Sequence, residues 1–258
     1  MSLGIISAMP EEAERLAHAL TREREHGHGG RTYYTGALPS EAGGRSEPVV
    51  LVYSRVGKVA AAATAQHLID VHRVKAILFT GVAGGLAPDL RVGDIVVAKN
   101  LWQHDMDASP IFPPLEIPLL GVSSIAADEA LSSRLRSGAE AFVRDDFERD
   151  VPRQLRDDLH LPVPRVVVGD IASGDRFVST DAEREALRQR VPSAVCVEME
   201  GAAVAQVCYE QGVPLGVVRV ISDSANDHAA RDFGRFITEA ASVYGLGIVR
   251  RALARARD

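Results

Sequence analysis

Short runs of apolar, β-branched residues recur along the chain, and most are followed by a stretch in which apolar residues repeat with the period of a helix. The runs cover residues 3–7, 49–53, 76–79, 94–98, 166–168, 194–197 and 215–221. Such runs are typical of strands that crossover helices bury on both faces. The pattern predicts a single-domain, three-layer α/β/α fold with a mixed, mostly parallel central sheet, extending over residues 1–258.

Helical periodicity and two irregular stretches complete this prediction. Helices are expected to begin near Glu11, Lys58, Ala127, Asp181, Gly201 and Arg235, the last packing as a C-terminal helix. Thr180 or Asp181 is the expected cap of the fourth. The proline-dense residues 109–118 and the charged residues 143–164 break the pattern, and we expect both at the surface. The first carries apolar side chains that are costly to expose, so it should cover apolar surface in this subunit or a neighbour.

The composition favours a small-molecule partner in a reducing compartment. The formal net charge of −6 argues against a nucleic-acid surface, which needs clustered Lys and Arg. Cys196 and Cys208 lie in apolar stretches without a CxxC pair, as buried reduced thiols do. No apolar run reaches the roughly 18 to 20 residues that span a bilayer, and no signal-type segment opens the chain. We therefore expect a cytoplasmic protein that binds neither nucleic acid nor membrane.

Acidic residues follow three of the predicted strands at the points where those strands end. Glu11 and Glu12 follow the first strand, Glu198 and Glu200 the strand ending at residue 197, and Asp223 the last strand. Ligands of open α/β sheets bind outside the carboxyl ends of the strands. Each acid alone fits a helix N-terminus equally well, and we assign Glu11 to that structural role. Glu12, Glu200 and Asp223 together would repel one another unless a ligand organises them, which favours a functional site.

Further segments are predicted at the same edge of the sheet. Arg219 lies on the last strand and is the expected internal counter-charge. The glycine-rich residues 80–85 would let a ligand approach the backbone closely. They match neither GxGxxG nor GxxxxGK[ST], so a plain tight turn explains them equally well. Residues 173–177 follow a fifth strand.

Longer motifs resemble those of the 5′-methylthioadenosine/S-adenosylhomocysteine nucleosidase branch of the nucleoside phosphorylase superfamily. They occupy residues 4–12, 56–60, 80–88, 92–96, 173–175, 197–200 and 218–223. The resemblance runs nearly end to end and excludes residues 143–164 and the exact form of the proline-dense loop. It implies a nucleoside phosphorylase-like homodimer that hydrolyses the N-glycosidic bond of 5′-substituted adenosines, giving adenine and the thioribose.

The resemblance also implies roles for individual residues. Glu12 would be the general base on the attacking water with help from Arg219, and Asp223 would be the general acid. Ribose would be bound by Glu200 with Met199 alongside. The purine would be bound by Phe177, the backbone of Val178, Ser222 and Glu198. The pocket would be lined by Ala8, Met9, Val56, Val82, Ala83, Gly84, Phe233 and Ile111, the last reaching in from a partner subunit.

Carboxyl groups suit the cleavage of this bond. Adenine leaves poorly as an anion, so a proton delivered to the purine lowers the barrier. The sugar then resembles an oxocarbenium ion, which negative charge stabilises in a closed site. This scheme needs no metal and no cofactor. His104, Asp105 and Asp107 carry ligand-type side chains without a second histidine at metal spacing, and His26 and His28 are expected to be exposed among glycines.

Three alternatives stay open at this point. A purine nucleoside phosphorylase would need cationic groups around its phosphate, whereas residues 9–12 and 78–80 contain no arginine. Hydrolysis of a related nucleoside such as futalosine would use the same acids. A non-catalytic nucleoside-binding protein gains some weight from Val82, which stands where the nucleosidases often have a serine near the ribose and the water.

Overall fold

The computed structural model describes residues 2–39 and 46–254, so Met1, residues 40–45 and residues 255–258 of the predicted domain lie outside the described part. The strands are β1 (Leu3–Ser7), β2 (Thr21–His28), β3 (Arg31–Leu38), β4 (Glu47–Tyr53), β5 (Ile77–Gly85), β6 (Ile95–Gln103), β7 (Ser124–Ala126), β8 (Val166–Ser173), β9 (Ala194–Glu198) and β10 (Leu215–Asp223). The helices are α1 (Pro10–Ala19), α2 (Lys58–Asp70), α3 (Glu129–Ala141), α4 (Phe147–Asp150), α5 (Arg153–Asp158), α6 (Asp181–Arg190), α7 (Gly201–Gln211), α8 (Ala229–Glu239) and α9 (Ala241–Leu253).

The strands form one mixed sheet that partly closes on itself. Parallel pairings join β1 to β4 and β5, β5 to β10, β6 to β8, and β8 to β9. Antiparallel pairings join β10 to β6 and β5 to β9. The five strands β5, β10, β6, β8 and β9 therefore form a closed ring. The carboxyl ends of β1, β5 and β10 therefore lie at one rim, because these strands run parallel. The predicted α/β class with a mixed central sheet is confirmed.

Two apolar clusters lie on opposite faces of the sheet. Ile5 packs in the first cluster and Ile6 in the second, as alternate residues of a strand must. Val217 and Val218 divide between the clusters in the same way. The first face is covered by α1, α3 and α9, and the second by α2 and α7. No helix in the described part of the chain is long and apolar enough to cross a membrane.

The start of the chain departs from the prediction because β2 and β3 form a hairpin that the apolar pattern does not indicate. Its turn is Gly29–Gly30, and both glycines have positive φ, +57° and +69°. Two consecutive residues with positive φ are the requirement of the tight turn that suits a twisted hairpin. The apolar pattern does not predict β2 because the strand lies at the edge of the sheet and carries charged residues.

Residues 143–164 are not a simple surface excursion. A π-helical turn, Phe142–Asp146, continues α3 and is followed by α4 and α5. Within this segment, Phe147 and Val151 are at most 1% exposed and belong to the first apolar cluster, as does Phe142 just before it. The expectation of a solvated connection was wrong because only part of this charged segment faces solvent.

The predicted starts of the other strands and helices lie within two residues of those in the structure, except at the C-terminus, but β5, β6 and β8 extend five or six residues beyond their predicted ends. The glycine-rich residues 80–85 therefore belong to β5 and do not form a turn after it. Thr180 caps α6 by accepting the Glu183 N–H at 3.2 Å. The predicted helix near Arg235 is wrong in its start, since α8 already begins at Ala229 and α9 follows separately. Both cysteines are buried and free, as the sequence predicts.

Candidate active site

A cavity of about 390 Å³ opens at the rim where β1, β5, β9 and β10 end. This volume lies in the range of pockets that hold small ligands. Its lining comprises Ala8, Met9, Glu12, Val56, Val82, Ala83, Gly84, Phe177, Val197, Glu198, Met199, Glu200, Ser222, Asp223 and Phe233. The lining is mostly apolar with several carboxyl groups, and none of its described residues is Lys or Arg.

Glu12 is held in the first turn of α1 by donors from β1 and the helix start. Its Oε2 accepts the Ser7 hydroxyl at 2.7 Å and the backbone N–H groups of Ala8 and Met9 at 2.8 and 3.0 Å. Its Oε1 accepts the Val82 N–H at 3.1 Å. Glu12 is only 4% exposed, and these four donors fix the position of its buried carboxylate.

Gly81 makes room for this carboxylate. A Cβ atom at residue 81 would lie 2.7 Å from Oε1 of Glu12 and 3.2 Å from its Cδ. No side chain beyond hydrogen fits there unless Glu12 moves. The glycine-rich stretch of β5 thus serves the packing of an acid, which is a more specific role than a tight turn.

Arg219 lies behind the cavity and neutralises Glu198. Its side chain is 1% exposed, and its Nη2 is 2.6 Å from Oε2 of Glu198. Burial lowers the pKa of Arg219, but the neighbouring Glu198 carboxylate raises it overall, followed by smaller contributions from Glu12 and Glu200. The guanidinium also donates to two backbone carbonyls and lies 4.1 Å from the Phe79 ring centroid. Arg219 is therefore a counter-charge within the wall, paired directly with Glu198.

The Glu198 carboxylate is fully engaged by protein donors. Besides Arg219, it accepts hydrogen bonds from the Ser173 hydroxyl and from the N–H groups of Glu200 and Gly201. The N–H groups belong to the start of α7, where the helix dipole also favours an anion. Glu198 lines the cavity, but its oxygens are committed to the wall.

Glu200 faces the cavity, and among the described residues it receives a single hydrogen bond. The Gly57 N–H donates to its Oε1 at 2.8 Å. Burial first, and then the neighbouring Glu198 carboxylate, raise the pKa of Glu200 to about 8. Gly57 has a φ of +100°, a conformation that favours glycine. A polar ligand with hydroxyl donors would stabilise the ionised form of Glu200.

Asp223 ends β10 at a bulge in its pairing with β5. The Ala225 N–H donates to its Oδ1 and the Ser222 hydroxyl to its Oδ2, each at 2.8 Å. Burial is the main cause of a raised pKa at Asp223, which these two hydrogen bonds only partly offset. A Cβ at Gly84 would lie 2.9 Å from Oδ1, so the glycine admits the carboxyl group.

Two aromatic rings flank the mouth of the cavity. Phe177 and Phe233 have ring centroids 5.6 Å apart at an interplanar angle of 70°. Phe177 is 40% exposed, which leaves one face of its ring available to a flat ligand. Val178 lines a small adjoining hollow together with Phe177 and Asp223.

The structure brings together nearly all the predicted site residues. Fourteen of them line the main cavity, Val178 lies in the adjoining hollow and Arg219 lies in the wall. Ile111 of this chain does not line the cavity and is 82% exposed. Elsewhere in the proline-dense loop, Ile117 is buried and Leu115 packs against an apolar cluster, so part of the loop covers this subunit.

The segment that carries His104 is an ordered loop beside the cavity. Asp105 bonds Lys58 Nζ at 2.6 Å and accepts the Asp175 N–H at 2.9 Å. Asp107 pairs with Arg190 at 3.3 Å. These contacts link the loop to the start of α2, to the segment after β8 and to the end of α6.

A sequence model of the phosphorylase superfamily matches residues 2–253, nearly the whole chain. The chain belongs to this superfamily. The family predicted from the motifs is thereby confirmed, and its fold agrees with the mixed α/β architecture.

Relatives of this phosphorylase superfamily member share its length. A 5′-methylthioadenosine/S-adenosylhomocysteine nucleosidase from Chromohalobacter salexigens is 33% identical over 241 residues, 93% of this chain and 92% of the relative. An aminodeoxyfutalosine nucleosidase from Campylobacter jejuni is 31% identical over 245 residues, 94% of each. The crystal structure of a 5′-methylthioadenosine/S-adenosylhomocysteine nucleosidase from Colwellia psychrerythraea in complex with adenine has a TM-score of 0.83 at 31% identity, covering 98% of this chain and 94% of that one.

Sequence reasoning missed several residues that build the site of this superfamily member. Ser7, Gly57 and Ser173 hold the three glutamates by hydrogen bonds, and Val197 lines the cavity. All four lie within the recognised motifs or next to them, but only the acids attracted a chemical interpretation. Two of them, Ser7 and Ser173, could have been found from their position, because each is the last residue of its strand.

Proposed function

We propose that this chain hydrolyses the N-glycosidic bond of 5′-substituted adenosines such as 5′-methylthioadenosine and S-adenosylhomocysteine, releasing adenine and the thioribose. The observation that carries the proposal is the convergence of Glu12, Glu200 and Asp223 on one cavity of nucleoside size. The named activities of the Chromohalobacter and Colwellia proteins support it, because the chain aligns with both almost end to end. A protein that only binds nucleosides would have no use for an acid and a base on the same ligand.

Asp223 is the general acid in this proposal. Burial raises its pKa, so the protonated form persists to higher pH than in an exposed aspartate. The proton passes to the purine ring as the glycosidic bond breaks, and adenine leaves as a neutral molecule. Ser222 and the Ala225 N–H orient the carboxyl group.

Glu12 is the general base that takes a proton from the attacking water. Its four donors keep it in place, and its negative charge also favours the cationic sugar of the transition state. Arg219 and Glu198 act as positioning residues, since their ion pair joins the middle of β10 to the end of β9. A contact of Arg219 with the water, and of the Glu198 side chain with the purine, stay predictions from the family resemblance.

Glu200 binds the ribose hydroxyl groups. Before ligand binds, the Glu200 carboxyl is mainly protonated at neutral pH, because its pKa is about 8. Hydroxyl donors from the sugar would lower that pKa, so binding would release a proton and create a second negative charge near the oxocarbenium ion. Met199 lies alongside, and Phe177 and Phe233 supply apolar surface for the purine and the 5′ group.

Water, and not phosphate, is the proposed nucleophile. The main cavity is lined by carboxyl groups and apolar side chains, and Arg219 is already paired with Glu198. A phosphate next to Glu12 would be repelled. The scheme uses no cofactor.

Hydrolysis of aminodeoxyfutalosine is the second candidate. The Campylobacter nucleosidase that bears this name is 31% identical to the chain, close to the 33% of the Chromohalobacter nucleosidase. Val82 is 8% exposed in the cavity and removes a hydroxyl contact near the ribose, a change that alters specificity among nucleosides with the same base.

The proposed molecule is one nucleoside phosphorylase-like domain that assembles as a homodimer in the cytoplasm. Ile111 of the partner subunit would complete the 5′ side of the pocket. The exposed apolar side chains of Ile111 and Leu119, 82% and 91% exposed, support such an assembly.

Adenine release from 5′-methylthioadenosine, S-adenosylhomocysteine and aminodeoxyfutalosine, each with and without phosphate, tests the proposal. We expect release that does not depend on phosphate. Asp223→Asn should lower kcat by about a hundred- to ten-thousand-fold without changing the melting temperature greatly. The control is Asp227→Asn, which alters an exposed aspartate in the loop that follows Asp223. Strict phosphate dependence, or full activity of Asp223→Asn, would contradict the assignment.

A further inference from the structure

Three histidines converge at the edge of the sheet, away from the cavity. His26 and His28 lie on the edge strand β2, and His67 lies in the last turn of α2. One ring nitrogen of each lies within 4.8 Å of the corresponding nitrogens of the other two. The sequence predicts that His26 and His28 are exposed, and the structure confirms this. Their spacing does not predict that His67 lies beside them, because His67 belongs to a helix that is distant in the sequence.

The fold itself produces this convergence. Residues 26 and 28 are alternate positions of a strand, so their side chains share one face. The rings of His28 and His67 are stacked, with centroids 4.0 Å apart and an interplanar angle of 12°. His26 stacks on His67 at 6.2 Å and 2°. The three rings are thus nearly parallel neighbours between the hairpin and the helix.

His67 has an unused ligand atom. Its Nε2 is buried and accepts or donates no hydrogen bond among the described residues. A buried polar atom without a partner is uncommon and calls for an explanation. Burial lowers the pKa of His67, and the neighbouring imidazoles and Arg31 lower it further. The neutral imidazole that results is the form that binds metals.

We propose that His26, His28 and His67 together bind one divalent transition-metal ion, with water completing the coordination. Imidazole nitrogens are ligands for Zn²⁺, Cu²⁺ and Ni²⁺, whereas Mg²⁺ and Ca²⁺ prefer oxygen. Zinc–nitrogen bonds of about 2.0–2.1 Å require the three nitrogens to draw closer than 4.8 Å, which rotation of the two exposed rings allows.

His72, Tyr33 and Arg31 surround this site, and the centroid of the Tyr33 ring lies 4.7 Å from that of His67. His72 packs edge-on against His67, with centroids 5.5 Å apart, and its Nε2 is also buried without a partner among the described residues. Arg31 opposes cation binding through its charge. Its guanidinium donates to the carbonyls of Gly29, Ser54 and Ala60, so it is engaged elsewhere. An ion that binds nitrogen strongly is needed to overcome this repulsion, which again favours a transition metal.

A metal here would tie the edge hairpin to α2 without entering the reaction. His67 lies nine positions after Lys58, the first residue of α2, a distance of about 14 Å along a helix. The proposed role is therefore stabilisation of the edge of the sheet. It is independent of the proposed hydrolysis.

Zinc affinity tests the proposal directly. Protein freed of metal by a chelator is titrated with Zn²⁺ in competition with a chromophoric chelator, and with Co²⁺ to record its ligand-field absorption. We expect one ion per chain and a melting temperature that rises with Zn²⁺. His28→Ala should weaken binding at least as much as loss of an outer-shell partner does, by about 10- to 100-fold or more. His67→Asn should do the same.

His18→Ala is the matched control, because His18 is an exposed histidine of α1 outside the cluster. Since His28 is exposed, its loss should leave the fold intact, which circular dichroism checks. Binding that His28→Ala and His18→Ala reduce equally, or no stoichiometric binding in the unaltered chain, overturns the site. Adenine release measured in the same samples should be unaffected by Zn²⁺ and by His28→Ala, so failure of the metal site and failure of the proposed hydrolysis are distinguishable.

Discussion

Glu200 is held in the folded chain at a cost that its proposed role explains. Its carboxyl group is 6% exposed, receives one hydrogen bond from the Gly57 N–H and lies beside Glu198. A hydrophobic or amide side chain would satisfy the fold more easily. A role in binding the ligand explains the acid at this position, because functional sites that require a buried charge often lower the stability of the fold.

This environment predicts a pH-dependent effect of Glu200→Gln on stability. The folded pKa of about 8 lies above the ordinary 4.5, so below pH 4.5 the carboxyl is neutral in both states. As the pH rises from 4.5 to 8, the unfolded state ionises first, and the stability that the neutral carboxyl provides is lost. The melting temperature of Glu200→Gln should therefore exceed that of the unaltered chain at pH 8 but not at pH 4.5.

Differential scanning calorimetry of the ligand-free proteins between pH 4.5 and 9 measures this difference. Glu210→Gln, at an exposed position of the same helix α7, is the control and should show no such trend. A difference in melting temperature that stays constant with pH would mean that the Glu200 pKa is not raised.

Gly81 predicts a catalytic effect from a single methyl group. In Gly81→Ala the new Cβ would lie 2.7 Å from Oε1 of Glu12, so the carboxylate must move. A displacement of about 1 Å in a catalytic group can lower the rate by about a hundredfold. We expect kcat to fall by that order, with a smaller change in KM because Glu200 and the aromatic rings are not displaced.

Steady-state adenine release by Gly81→Ala and Gly27→Ala makes the comparison. A Cβ at Gly27, in the edge strand β2, would meet nothing within 4 Å. If Gly81→Ala keeps the kcat of the control, Glu12 either tolerates the shift or is not the base.

At the scale of elements, the sequence predicts the buried strands and misses what packs outside them. The runs in β1, β5 and β10 are buried along their whole length, so hydrophobicity alone reveals them. The strand β2 is charged and exposed because it forms the edge, and only the Gly29–Gly30 turn signals the hairpin. Acids at strand ends were predictable for the same topological reason, whereas the pairing of Arg219 with Glu198 depends on contacts across the sheet.

The segment from α3 to α5 shows a second limit of periodicity. Its aromatic residues Phe142 and Phe147 are spaced by five residues across a π-helical turn, so they do not follow the ordinary helical repeat. Both rings nevertheless pack against Tyr244 of α9, at centroid distances of 5.3 and 5.9 Å. Charge density along the chain conceals this buried side.

Phe147→Ala should therefore destabilise the whole chain. Phe147 is 1% exposed, and truncation of a buried phenylalanine costs about 3–5 kcal/mol. Urea unfolding followed by circular dichroism measures the loss, with Val163→Ala, at a position that is 57% exposed, as the control from the same segment. A change below about 1 kcal/mol would return the segment to the status of a solvated connection.

At the scale of the whole molecule, the apolar surface near the proline-dense loop predicts self-association. Ile111 and Leu119 are 82% and 91% exposed, although a monomer gains nothing by exposing them. Val56 and Phe177, 47% and 40% exposed, lie at the cavity, so its mouth is also apolar. A second subunit that covers these side chains would close the cavity to bulk water, which strengthens the electrostatic interactions on which the proposed reaction depends.

Ile111→Asp should weaken the proposed dimer and impair catalysis together. A carboxylate in a subunit interface is desolvated without a partner, so the dissociation constant should rise by at least about tenfold. The KM for 5′-methylthioadenosine should rise as the dimer dissociates and fall again at high protein concentration. Sedimentation velocity and adenine release over the same concentration series measure both. Val163→Asp, at another exposed apolar residue, is the control. If Ile111→Asp remains dimeric with an unchanged KM, the pocket is complete within one subunit.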